Sequence, residues 1–188
     1  MTEARRFATL DDVLRLPDNV VGEIVAGELY TSPRPTPRHA LAESSVISSL
    51  FSSFGRRRGG VPGGWWILGE PELHLEGHVL VPDVAGWRRA RMPALPEGAV
   101  LTLVPDWLCE VLSPSTSRLD RYQKLPVYAR LGVPFVWLVD PLARAVEVYR
   151  SEGETWRVST HIGDSPFRAE PFEAVELDPS EWWADEPE

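Results

Sequence analysis

Lysine, cysteine and long apolar runs are all scarce in this 188-residue chain. No apolar run reaches the ~20 residues of a membrane-spanning helix, so no such span is expected. The single cysteine, Cys109, excludes an intramolecular disulfide and fits a reducing compartment. The N-terminal stretch MTEARRFATLDDV lacks the apolar core of a secretory signal, so a cytoplasmic location is expected. There is no internal repeat and no phosphate-binding glycine loop. Positive charge is not in excess either. The formal net charge is −9, which argues against a simple electrostatic binder of nucleic acid.

The charge is unevenly placed. Residues 151–188 hold 11 acids and two bases, Arg157 and Arg168, whereas residues 1–150 hold 17 of each sign. The body is therefore neutral, with basic clusters at Arg56-Arg57-Arg58 and at Arg88, Arg89 and Arg91, each of which taken singly reads as a solvated loop. With 43% hydrophobic residues, the chain is expected to form one globular domain over 1–188, with an acidic C-terminal segment from 151.

Against this background the one lysine stands out. Eighteen of the nineteen Lys and Arg residues are arginine. A lysine kept at position 124 points to a place where a compact ammonium is needed and a guanidinium will not serve. Upstream of it, two carboxylates interrupt apolar, strand-like runs: Asp83 in VLVPDV and Glu110 in WLCEVL. Side chains alternate along a strand, so Trp107, Cys109 and Val111 face one way and Leu108, Glu110 and Leu112 the other. Cys109 then reads as core filler. Buried carboxylates on neighbouring strands repel unless something pairs with them, and a divalent cation is one remedy. Two acids and a lysine suit metal-assisted hydrolysis of a phosphodiester.

The surrounding pattern supplies the scaffold. Thr9 caps a short helix that ends at Pro17. Val20–Val25 and Leu29-Tyr30 form a hairpin around Ala26-Gly27-Glu28. Glu23 in its first strand reads equally as a solvent-facing side chain or as a third acid of the site. After a proline-rich loop, His39 to about Arg56 is a helix, carrying an apolar stripe of Leu41, Val46, Ile47, Leu50, Phe51 and Phe54 and stopped by Gly59-Gly60. His39 is the type of residue that contacts a phosphate or orients an acid, although a surface histidine is the commoner outcome.

Trp65–Leu75 is strand-like with a break at Pro71. Glu70, Glu72, His74 and His78 lie close in sequence but do not make a closed zinc set. Residues 86–100 are an irregular, basic, proline-rich connection. Ser117 and Asp120 have capping-box spacing before a helix that carries Lys124, kinks or restarts at Pro126 and ends at Gly132. Val133–Val139 is a doubly buried strand, followed by strands at 145–149 and 156–160 and a tail strand near 172–177. The pairs Trp65-Trp66 and Trp182-Trp183 fit either core packing or a homodimer interface.

Taken in order, EIVAGELY, the proline-rich loop leading to His39, VPDV, CEVLSPSTSRLDRYQK and YARLGVPFVWLVDP resemble the Uma-two family of restriction-endonuclease-like proteins, from about residue 21 to 149. The resemblance implies the PD-(D/E)xK nuclease superfamily: an α+β fold with a mixed central β-sheet flanked by helices, here with an N-terminal hairpin and added C-terminal strands. It makes Pro82-Asp83 the PD and Glu110 the second acid. The lysine usually found two positions on is replaced by Leu112, and Lys124 on the following helix takes its place. Glu23 matches an acid of the first strand pair.

The implied activity is Mg2+- or Mn2+-dependent cleavage of DNA. Asp83 and Glu110 are the metal ligands, the Val111 carbonyl is a third, and Lys124 acts on the attacking water or the scissile phosphate. His39 and Asp120 take supporting places. The competing expectation is a nuclease-like fold that has lost catalysis and serves as a binding or assembly module.

Overall fold

The computed structural model describes residues 7–17, 19–32, 35–55, 64–153 and 155–184. The Arg56–Arg58 cluster and Gly59-Gly60 lie outside the described residues.

Two sheets form the body. The larger has six strands in the order β11-β10-β9-β8-β6-β3, with β3 Trp65–Gly69, β6 Val84–Arg88, β8 Trp107–Val111, β9 Phe135–Asp140, β10 Ala145–Glu152 and β11 Thr155–Ile162. It is mixed: β8 and β9 run parallel and the remaining pairs antiparallel. The smaller has the order β2-β1-β5-β4-β7, with β1 Val21–Val25, β2 Glu28–Ser32, β4 Glu72–Leu75, β5 His78–Leu80 and β7 Val100–Leu101. The β1–β2 hairpin turns on Ala26 and Gly27, both at positive φ (51° and 80°). Those values fit the two-residue turn whose twist matches that of the strands.

Alternation along the six-stranded sheet builds two cores. Trp65, Ile67, Val84, Trp107, Cys109, Val111, Trp137 and Val139 face one way and pack against the helix α2 (Pro37–Leu50) and the C-terminal segment. Leu108, Leu112, Val136 and Leu138 face the other way, against the five-stranded sheet and the helix α4 (Leu125–Arg130). Cys109 is core filler, and Glu110 lies on the α4 side. The central strand expected at Val133–Val139 is β9, buried through its middle because both faces are covered.

Several sequence expectations are corrected. The helix begins at Pro37, not His39, because Pro fits a first helical turn and Thr36 caps it by accepting the His39 N–H at 3.4 Å. Its buried stripe is Ala42, Val46, Leu50 and Phe54, the last from a π-helical turn over Phe51–Gly55. Leu41 and Phe51 face outward. The Trp65–Leu75 run is two strands in different sheets, since Pro71 cannot donate to a ladder and Glu70 takes a positive φ. Likewise Asp83 is not inside a strand. It ends the crossing from β5 to β6, directly after Pro82. The two crossings are tied by the Glu70 N–H donating to the Asp83 carbonyl at 2.8 Å.

The expected tail strand near 172–177 is only a single bridge, Phe167 to Leu177. Phe172 nonetheless packs on Phe54, Trp65, Trp107 and Trp137. Trp65, Trp182 and Trp183 are interior, so a homodimer surface cannot be built on them. The Arg88–Arg91 cluster is in structural use. Arg88 and Arg89 stack on Trp65 and Trp66, and Arg91 pairs with Asp106 at 3.0 Å. No helix among the described residues is long and apolar enough to cross a membrane.

Candidate active site

At the C-terminal end of β8 a small pocket of about 100 Å³ opens among β1, the β5–β6 crossing, the start of α2 and the segment leading to α4. Six residues expected at the site line it, Glu23, His39, Asp83, Glu110, Asp120 and Lys124, together with Glu70.

Lys124 arrives on an interrupted helix. A three-residue turn, α3 (Ser117–Leu119), passes into a π-helical turn over Asp120–Lys124 and then into α4. Pro126 occupies the first turn of α4, where its missing N–H costs nothing, so the helix restarts there. Gly132, at φ 76°, follows the end of α4. The expected Ser117–Asp120 capping box does not form. Thr116 holds the cap position, and the Asp120 carboxylate turns inward toward the ammonium.

The inner part of the site is a buried charge network. Lys124 Nζ lies 2.8 Å from Glu110 Oε1, 3.0 Å from Glu23 Oε1 and 3.8 Å from Asp120 Oδ1. All four residues are buried. Glu23 also accepts the Val81 N–H at 2.8 Å, which pins the crossing that delivers Asp83. Of the two sequence readings of Glu23, the solvent-facing one is therefore excluded by burial. The Tyr128 hydroxyl, one turn beyond Lys124, donates to Glu110. Sequence reasoning did not include Tyr128, although its i+4 spacing from Lys124 puts it on the same helix face.

Burial works against the Lys124 charge, but Glu110 and Glu23 outweigh it and hold its pKa well above the ordinary lysine value. Burial pushes Glu110 well up despite Lys124, with Asp120, Asp83 and Glu23 adding to the effect. Asp120 is raised to about 6 by burial, which Lys124 opposes and the charge of Asp83 reinforces.

The outer part is more open. Asp83 Oδ2 accepts the Val111 N–H at 2.6 Å, so Asp83 is bonded to the residue next to Glu110. His39 Nε2 lies 3.4 Å from the same oxygen. Burial disfavours the His39 cation, but the Asp83 hydrogen bond and charge outweigh it and raise the pKa. Glu43 was missed from the sequence. It follows His39 by four residues, a helical spacing that would have found it. Burial, then the charges of Asp83 and Glu70, raise Glu43 to about 7.

A family model described as "Putative restriction endonuclease" matches residues 10–180. The chain belongs to the Uma2 family. Among solved structures, the fold of this Uma2 chain is similar to "a putative nuclease belonging to DUF820" from Anabaena variabilis ATCC 29413. That comparison has a TM-score of 0.74 and 24% identity over 94% of this chain and 97% of the other. The likeness shows the mixed α+β fold, and the family model's description is consistent with a restriction-endonuclease-like core. No curated protein matches the chain.

A divalent cation fits the donor set of this Uma2 pocket. Five carboxylates, Glu23, Glu70, Asp83, Glu110 and Asp120, line it against one lysine and one histidine. That excess of anionic oxygen is what hard cations take as ligands. The tightest ligand group among the described residues is His39, Glu43 and Asp83, whose donor atoms lie within 4.8 Å of one another. Glu110 is outside that group, with one carboxylate oxygen already engaged by Lys124 and Tyr128. The other acid–histidine cluster weighed from the sequence is dispersed: His74 pairs with Glu72 at 2.7 Å, while His78 Nδ1 accepts the Ala26 N–H.

Proposed function

We propose that this protein is a metal-dependent endonuclease that hydrolyses phosphodiester bonds in DNA at the Asp83–Glu110–Lys124 pocket. One observation carries the reading. Lys124, the chain's only lysine, meets Glu110 and Glu23 in the pocket that Asp83 also lines. Asp83 and Glu110 are the expected Mg2+ or Mn2+ ligands, with the Val111 carbonyl as a third. When bound, such an ion polarises the phosphoryl oxygens and acidifies a water.

The chain's own residues do the remaining work. The Val111 N–H fixes the Asp83 carboxylate. Glu23 and Asp120 hold the Lys124 ammonium at Glu110, where it offsets negative charge developing on the phosphate. Tyr128 keeps Glu110 oriented.

The test is a plasmid-nicking assay in Mg2+ and in Mn2+, alongside calorimetric titration with Mn2+. Asp83→Asn should abolish cleavage and Mn2+ binding while keeping the melting temperature close to wild type, because the amide oxygen still accepts from Val111. Cleavage surviving in Asp83→Asn would sink the assignment.

The second reading, a non-catalytic binding or assembly module, is favoured by one feature. Lys124 is almost fully buried and saturated by carboxylates, in place of a lysine two positions after Glu110. A module of this kind would neither bind Mn2+ nor cleave, and inactivity with intact metal binding would point to a substrate other than DNA.

A further inference from the structure

We infer that His39, Glu43 and Asp83 form a mixed nitrogen–oxygen site that selects a transition-metal cation of the Mn2+ class over Mg2+. The inference rests on the reading of this pocket as metal-dependent and adds the α2 helix as the element that chooses the metal.

Three observations carry it. First, the geometry is that of one ion's ligand set. Two donors held by one ion at ~2.0–2.6 Å can be at most ~4–5 Å apart. The His39, Glu43 and Asp83 donor atoms all fall within 4.8 Å of one another. Two of them come from one face of α2 at i and i+4, and the third from the β5–β6 crossing. The group therefore joins the helix to the sheet.

Second, His39 is only partly satisfied. Its Nε2 faces Asp83 at 3.4 Å, while its Nδ1 is buried with no hydrogen-bond partner. A buried ring nitrogen left in that state is costly.

Third, the fold leaves room for Glu43. A Cβ on Gly69, at the end of β3, would come 3.3 Å from Glu43 Oε1 and 3.0 Å from Ile47 Cδ1. The absence of that side chain leaves the Glu43 carboxylate uncrowded beside Asp83. The selectivity follows from ligand chemistry. Mg2+ takes oxygen ligands and gives up water reluctantly, so one imidazole in the set costs it more than it costs a first-row transition ion.

The experiment is Mn2+ binding to the full chain without nucleic acid, followed by electron paramagnetic resonance with electron-spin-echo detection of nitrogen coupling. Wild type should show 14N modulation from one imidazole, absent in His39→Gln. His39→Gln and Glu43→Gln should each weaken Mn2+ by at least about tenfold. Mg2+, measured by competition, should lose much less in His39→Gln, and circular dichroism should confirm folding of each variant. A wild-type spectrum with oxygen ligands only overturns the inference even if a variant fails to fold. So do equal losses for the two ions in His39→Gln. The outcomes separate the two readings. Cleavage with an oxygen-only Mn2+ spectrum keeps the nuclease and removes the histidine. Nitrogen coupling in a chain that cuts nothing keeps the site and removes the nuclease. No Mn2+ binding removes both.

Discussion

Replacing Lys124 by methionine should unfold this protein more readily than any surface change, quite apart from activity. The side chain is almost completely buried, and its ammonium is the shared partner of Glu110 and Glu23 at 2.8 and 3.0 Å. Removing it leaves two carboxylates inside the protein with no cation. Breaking a buried pair in this way costs ~3–5 kcal/mol. For a chain of this size each kcal/mol lowers the melting temperature by ~2–4 °C, so the expected loss is ~6–20 °C.

The loss should depend on pH. Burial already holds Glu110 well above its unfolded-state pKa of ~4.3, and without the lysine nothing offsets that effect. An acid raised in the folded state contributes its full stability only below the unfolded value and loses it as pH rises through the folded value. The deficit of Lys124→Met should therefore widen as pH rises above ~4.3 and narrow on acidification.

The assay is calorimetric or fluorescence melting of wild type, Lys124→Met and Lys124→Met/Glu23→Gln, all in chelator so that bound metal does not contribute. The double variant removes one of the stranded charges and should recover part of the deficit. A pH-independent deficit, or one under ~2 °C, would mean that water reaches these carboxylates and that the buried network is not what holds this end of the sheet. Lys124→Arg should fall between the two. Its guanidinium retains the charge but overfills the site, at ~1–3 kcal/mol.

Other changes test other parts of the fold. Tyr128→Phe removes the hydroxyl donor to buried Glu110 and should cost ~1–3 kcal/mol in denaturant unfolding. No change would mean that Glu110 finds another donor. Phe172→Ala, at the centre of four aromatic contacts, should cost ~3–5 kcal/mol, and a smaller loss would show that the C-terminal segment is not core. Reversing the exposed tail acids Glu173 and Glu181 to lysine should tighten DNA binding at low salt and lose that gain as salt is raised. Equal affinity at low salt would remove the tail from the electrostatics of binding.

The sequence alone carried the features set by local periodicity and by residue scarcity. Alternation in WLCEVL placed Glu110 on one face and Cys109 on the other, because strand geometry leaves no third choice. The unbroken apolar run at 133–139 marked β9, since only a strand covered on both sides tolerates it. The solitary Lys124 drew attention to itself among eighteen arginines.

What the chain could not disclose locally was decided by packing between distant segments. Glu23 and Lys124 are 101 positions apart, and only the docking of the hairpin sheet against the α4 side turns that glutamate from a surface candidate into a buried counter-ion. Asp83 reads as a strand residue until the two sheets separate around Pro82. The Arg88–Arg91 cluster reads as a solvated basic loop until Trp65, Trp66 and Asp106 engage it. Glu43 comes within ligand distance of Asp83 where α2 lies across the end of β3, beside Gly69, which has no side chain to crowd it. For Glu23 the deciding term is the desolvation of a charge, which depends on what covers it and is set by tertiary contacts rather than by neighbours in the chain.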